Sequence, residues 1–218
     1  MAQDIKRGTY TESNQSTYVV TKTFSHTNDG SDVLVRIMLH GNGVLPTGFS
    51  VTYNGTAMTS LASAYDGINY NCVLIFYLKN ASSGANNVVV NWTNQAKGAV
   101  TALSLTGVAA YRTTPGTYGG GTTISITANT APGDLVLDAV VYWSSPLTTL
   151  TVGAGQTQEK NTTLTDTHVG NSYGPASSSG STTAMTWTLG SSRTWLSVVV
   201  ALYGAEVGGV AVSPLYWI

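Results

Sequence analysis

Few residues in this chain have chemistry to offer, and they are scattered. Asp134 and Asp138 stand four apart, a spacing that puts both carboxylates on one face of a strand. Two carboxyl groups flanking a sugar–sugar bond are the apparatus of glycan hydrolysis. Asp134, however, follows Pro132-Gly133 and fits a turn, which leaves Asp138 as a solvent-facing strand residue opposite Leu135 and Leu137. His26, His40 and His168 are far apart in sequence, and none has metal-ligand spacing. Serines abound, yet none sits in a Gly-x-Ser-x-Gly elbow between a strand and a helix. Thr27-Asn28-Asp29-Gly30-Ser31-Asp32 has the make-up of a calcium loop without its ligand spacing or distal Glu, and reads as a turn. The glycine-rich run from Pro115 to Gly121 lacks the Gly-Lys-Ser/Thr ending of a phosphate loop and reads as a linker. The expectation is therefore no catalytic residue, no metal, no cofactor and no enzyme.

Aromatic residues are the better lead. Five Trp and twelve Tyr could supply a stacking platform for sugars, with Asn, Ser and Thr bonding the hydroxyls. The plainer reading makes Trp92, Trp143, Trp187 and Trp195 core or rim anchors of their strands. Cys72 is the single cysteine, so it forms no internal disulfide, and beside the apolar run Val73–Leu78 it reads as a buried, unreactive thiol.

Polar positions are filled by 33 Thr and 22 Ser, about a quarter of the 218 residues, while only 9% are charged. Ordinary soluble domains carry about 25% charge. With 42% hydrophobic residues the chain still builds a core, and its Thr content favours strands. The net charge is −1 and no basic cluster exceeds Lys6-Arg7, which argues against nucleic acid and anionic membrane as partners. Near-neutrality also removes the repulsion that keeps copies apart. The N-terminus has no apolar core of a secretory signal, and no apolar stretch reaches bilayer length.

The positioning elements are strands. Tyr18–Phe24 and Val33–Leu39 alternate; Val51-Thr52-Tyr53 and Thr56-Ala57-Met58 flank Asn54-Gly55, a strong hairpin signal. Cys72–Leu78 is apolar on both faces, as a covered central strand should be. Further strands are expected at Val88–Trp92, Ala99–Leu105, Thr122–Thr127, Leu135–Trp143, Ala184–Leu189 and Trp195–Tyr203, with a hairpin-like stretch around Leu150–Gln158. No window has a sustained helical period. The sum is an all-β protein: a jelly-roll-like β-sandwich of about ten strands over residues 16–204, with an N-terminal arm (1–15) and a C-terminal tail (205–218). The tail ends in Leu215, Tyr216, Trp217 and Ile218, an apolar cluster expected to bind a partner.

Several segments come in a familiar order. They include Ser50-Val51-Thr52-Tyr53-Asn54-Gly55-Thr56-Ala57-Met58-Thr59, Ala102-Leu103-Ser104-Leu105-Thr106-Gly107-Val108 and Pro132-Gly133-Asp134-Leu135-Val136-Leu137-Asp138. Phe76–Asn80, Gly84–Val90, Gly153–Thr157, Met185–Thr188 and Trp195 with Val198–Ala201 continue the series. Together they resemble an all-β domain of phage virion proteins and of some bacterial surface or secreted proteins. The resemblance implies a sandwich used as a structural or binding module, with no catalytic residues to carry over. A whole chain of this size looks most like a capsid decoration (cement) protein on a bacteriophage virion. That reading implies a homo-oligomer, a homotrimer in the first instance, bound to the major capsid protein or other virion proteins. A tail or fibre component, or a carbohydrate-binding adhesin module with a glycan ligand, is the alternative.

Overall fold

The computed structural model describes residues 4–143 and 146–205. All regular structure among them is strand. The first half of the chain contributes β1 (Lys6–Asn28), β2 (Asp32–Gly41), β3 (Thr47–Tyr53), β4 (Thr56–Ala57), β5 (Thr59–Asp66), β6 (Asn71–Leu78) and β7 (Gly84–Thr106). The second half contributes β8 (Val108–Thr113), β9 (Thr117–Asn129), β10 (Leu135–Trp143), β11 (Leu150–Val152), β12 (Thr157–Leu164), β13 (Thr167–Pro175) and β14 (Thr182–Gly204). The expected all-β sandwich is present as two antiparallel seven-stranded sheets. Among the described residues there are fourteen strands rather than ten, several longer than the alternation suggested.

The two halves are wired alike. The first sheet runs β4-β3-β7-β2-β6-β5, and the second runs β11-β14-β10-β13-β12. β3 thus corresponds to β11, β7 to β14, β2 to β10, β6 to β13 and β5 to β12. β7 and β14 are both 23 residues long and both change partners along their length. β7 passes from β3 to β2, and β14 from β11 to β10. β1 lies along the whole of β7, as β9 and β8 together lie along β14.

These long strands curl each sheet back over itself, so each half encloses a core of its own. In the first half, Val33, Val35, Ile37 and Leu39 of β2 pack with Val51, Tyr53, Val88, Val90 and Trp92. In the second, Trp187, Tyr142 and Val140 pack with Ile124, and Val136 packs with Met185 and Val199. A third core lies between the halves, where Leu34, Met38, Ile75 and Leu103 meet Leu137, Val141, Val169, Leu196 and Val200. This three-layered burial is why all ten residues of β2 are inside. Each large apolar side chain so buried contributes roughly 1.5–3 kcal/mol before the entropy of ordering it.

Three segments differ from the sequence reading. Residues 6–15, expected as an arm outside the sandwich, are the first part of β1 and pair with the second part of β7. Their polar character disguised a strand whose partners across the layer are themselves polar. Gly119, Gly120 and Gly121 belong to β9 rather than to a linker, opposite Trp195, Thr194 and Arg193. A Cβ at Gly119 would lie 2.5 Å from the Trp195 ring, so glycine there makes room for the indole. Leu150–Gln158 is no hairpin: β11 pairs with β14 and β12 with β13. The Asn54-Gly55 turn does form as expected, with both residues at positive φ (48° and 76°) between Tyr53 and Thr56.

Candidate functional site

The residues that sequence suggested for acid–base work are structural. Asp134 accepts the Ala131 N–H at 2.9 Å and closes the turn before β10, with Arg112 at 3.7 Å. Asp138 is fully buried, which corrects the expectation that it faces solvent. Its Oδ1 accepts the Ser172 N–H and hydroxyl at 2.7 and 2.8 Å, and its Oδ2 accepts the Trp187 indole N–H at 2.7 Å. The correction has a sequence signal behind it. Val136, Val140 and Tyr142 share the Asp138 face, so that face was as apolar as the Leu137 face. Burial pushes the Asp138 carboxyl up to about 6, against the pull of its three donors and of Arg36. The three histidines are held apart and neutral-leaning, each pKa lowered by burial. His26 lies between Thr11 and Ser104, and His168 bonds Tyr142 and Asn161. Among the described residues no group of three His, Cys, Asp or Glu comes together to hold a metal ion. Cys72 is fully buried in β6, with its thiol pKa driven up by burial. Leu215, Tyr216, Trp217 and Ile218, the expected partner-binding residues, lie outside the described residues.

Sequence reasoning missed an ionic layer between the halves. Glu159 of β12 takes Arg7 of β1 on one carboxylate oxygen and Arg36 of β2 on the other. The Arg36 side chain is 1% exposed, and it also donates to Asn171 Oδ1 at 2.8 Å. Arg7 lies 3.4 Å over the Tyr173 ring, and Lys160 reaches Glu12 at 2.9 Å. Glu159 and Lys160 are adjacent, so a regular strand would send them to opposite faces. A register shift between Gln158 and Lys160 makes Glu159 the extra residue of a bulge, and both side chains reach β1 or β2. Arg36 was the available clue: a charge inside a strand apolar on both faces needs a buried partner.

The same seam opens at one end into a cleft. Its lining is Asn69 from the first half and Gly120, Gly121, Trp143, Pro146 and Ser192–Thr194 from the second, around a volume of about 730 Å³. Trp143 separates this cleft from a hollow of about 230 Å³ lined by His40, Gly43, Ile68, Asn69 and Tyr70. Trp143 is 38% exposed, and its ring is backed by a histidine. His40 stacks on it with centroids 5.6 Å apart and planes 12° from parallel. Burial raises the Asp166 carboxyl, but the ion pair with Lys97 at 2.7 Å outweighs it and holds that carboxylate below its usual range. Of the four tryptophans read as strand anchors, Trp92, Trp187 and Trp195 are core residues, and Trp143 is the one that meets solvent.

The chain matches no family model and no curated protein. Among solved structures it is similar to the ANXUR2 extracellular domain from Arabidopsis thaliana, at 5% identity and a TM-score of 0.28, over 93% of this chain and 90% of that one.

Proposed function

We propose that the chain is a non-enzymatic structural protein of a phage virion, a decoration or cement protein that binds the capsid surface as a homo-oligomer. What supports this reading most is where the charges are. Of 9 basic and 10 acidic residues, Arg7, Arg36, Lys97, Arg112, Lys160, Glu12, Asp134, Glu159 and Asp166 are spent on ion pairs. Asp32, Asp66 and Asp138 are buried as well. Among the described residues only Asp4, Lys6, Glu12, Asp29 and Lys79 are exposed charges, and most of the outer surface is Thr, Ser and Asn, which desolvate at far lower cost than ions when another protein covers them. The 23-residue edge strand β1 also offers a long row of backbone groups for pairing. The resemblance in turn and core segments supplies the virion context.

The mass in solution and capsid binding test the reading. At tens of micromolar the trimer should weigh about 68 kDa, three times 22.7 kDa. The protein should co-sediment with capsids stripped of it and raise their melting temperature. A monomer that leaves capsids unchanged would refute the proposal. The cleft beside Trp143 favours a second reading, a carbohydrate-binding adhesin module.

A further inference from the structure

We propose that the cleft beside Trp143 is a binding site for a neutral oligosaccharide, with Trp143 as the stacking platform. The site lies within one chain, so the assignment stands whether or not the protein decorates a virion. A tryptophan that is 38% exposed yet stacked on a histidine is an unusual use of the residue, since most of its area is normally spent in a core. His40 stacks on one face of the ring, 12° from parallel, and restricts its rotation, so less side-chain entropy remains to be lost on binding. The C–H face of a pyranose packs on such a ring, while hydroxyl groups around its rim seek short polar side chains. Those are present. Asn69 has its amide nitrogen held by Asp66 at 2.6 Å, which orients the side chain, and Ser192 and Thr194 line the same cleft.

Arg193 is committed to the wall itself, its two terminal nitrogens donating to the Ser192 and Pro146 carbonyls at 2.8 and 3.1 Å. It therefore shapes the cleft wall, and the polar side chains beside it, Asn69, Ser192 and Thr194, are uncharged, which suits a neutral ligand. Gly120 and Gly121 line the cleft as well. A Cβ on Gly120 would meet only the Arg193 carbonyl oxygen, at 3.9 Å, and one on Gly121 would meet nothing within 4 Å. The absence of side chains there leaves the space beside the indole open. The position at the seam between two packed halves is also where ligand sites concentrate.

The test is titration of the full chain with neutral hexasaccharides of glucose, galactose, mannose and N-acetylglucosamine. Calorimetry and the indole N–H resonances give the readout. At least one should bind at micromolar to millimolar concentration and shift the Trp143 indole signal. Trp143→Ala should weaken that binding at least about tenfold. Gly120→Leu, which fills the cleft without touching the core, should do the same. Tyr111→Ala, an exposed aromatic outside the cleft, should change nothing. No binding by any of the four at 10-millimolar order, binding that survives both cleft variants, or binding confined to a polygalacturonate control would overturn the assignment.

Discussion

Replacing Glu159 by Gln should be among the most damaging single changes available to this protein, although the residue touches no apolar core. Its carboxylate neutralises two guanidinium groups, and the Arg36 group is almost wholly enclosed. Two of the three Arg36 nitrogens, Nε and Nη2, already lack a partner, and without Glu159 only Asn171 would remain. Removing one partner of a buried pair costs about 3–5 kcal/mol, because a charge is stranded away from water. In a chain of this size each kcal/mol moves the melting temperature by roughly 2–4 °C, so Glu159→Gln should melt about 6–20 °C lower. The assay is urea and thermal unfolding followed by the fluorescence of the buried Trp187 and Trp195. Arg36→Met in the Glu159→Gln background should recover much of the loss, since it removes the stranded charge and fills the same space. A loss below about 1 kcal/mol, the value of an exposed pair, or no recovery in the double variant, would refute the idea of an interior ionic layer.

Other predictions follow from burial. Asp138 has a folded pKa of about 6 against 3.8 when unfolded, so the folded state holds its proton more tightly. That contribution to stability is complete below about pH 4, is lost as the pH rises through 6, and amounts to about 3 kcal/mol for two pKa units. Asp138→Asn should remove this slope between pH 4 and 6, which unfolding at a series of pH values will reveal. An unchanged slope would rule out Asp138 as its source. The three histidines act in the opposite sense, their lowered pKa values costing stability as pH falls below about 6.5. Cys72 should resist thiol reagents in the native protein and react at once in denaturant; rapid native labelling would contradict its burial. Gly98→Ala should cost about 3 kcal/mol, because φ is +150° and the added carbon would lie 2.0 Å from the Met38 carbonyl oxygen. Normal stability of that variant would mean the β2–β7 contact is looser than described.

How much of this was legible in the sequence depends on what each residue's neighbours reveal. The Asn54-Gly55 turn, the doubly covered strand at Cys72–Leu78 and the Leu137-Ala139-Val141 face were readable, because period-2 alternation and turn chemistry are local. The Asp138 environment was not read, although Val136, Val140 and Tyr142 carried the signal. A strand apolar on both faces offers no polar side against which to orient an acid. The bulge at Glu159 left no local mark, because it is set by pairing with β13 and by the arginines it must reach. The N-terminal segment looked like an arm because Arg7, Tyr10 and Glu12 are polar, and their partners lie about 150 residues away. The Trp143 cleft was half legible: the abundance of aromatic residues pointed to stacking, but only the seam between the halves determines which indole meets solvent. The likeness of the two halves is carried by topology, in the matching strand orders.

The central claim, a virion structural protein, is tested most directly by locating the protein in particles purified from its native source, by mass spectrometry and a cryo-electron density map. The account predicts many copies per particle, seated on the outer capsid surface as symmetric oligomers. Particles that assemble with no copies of this chain would contradict it.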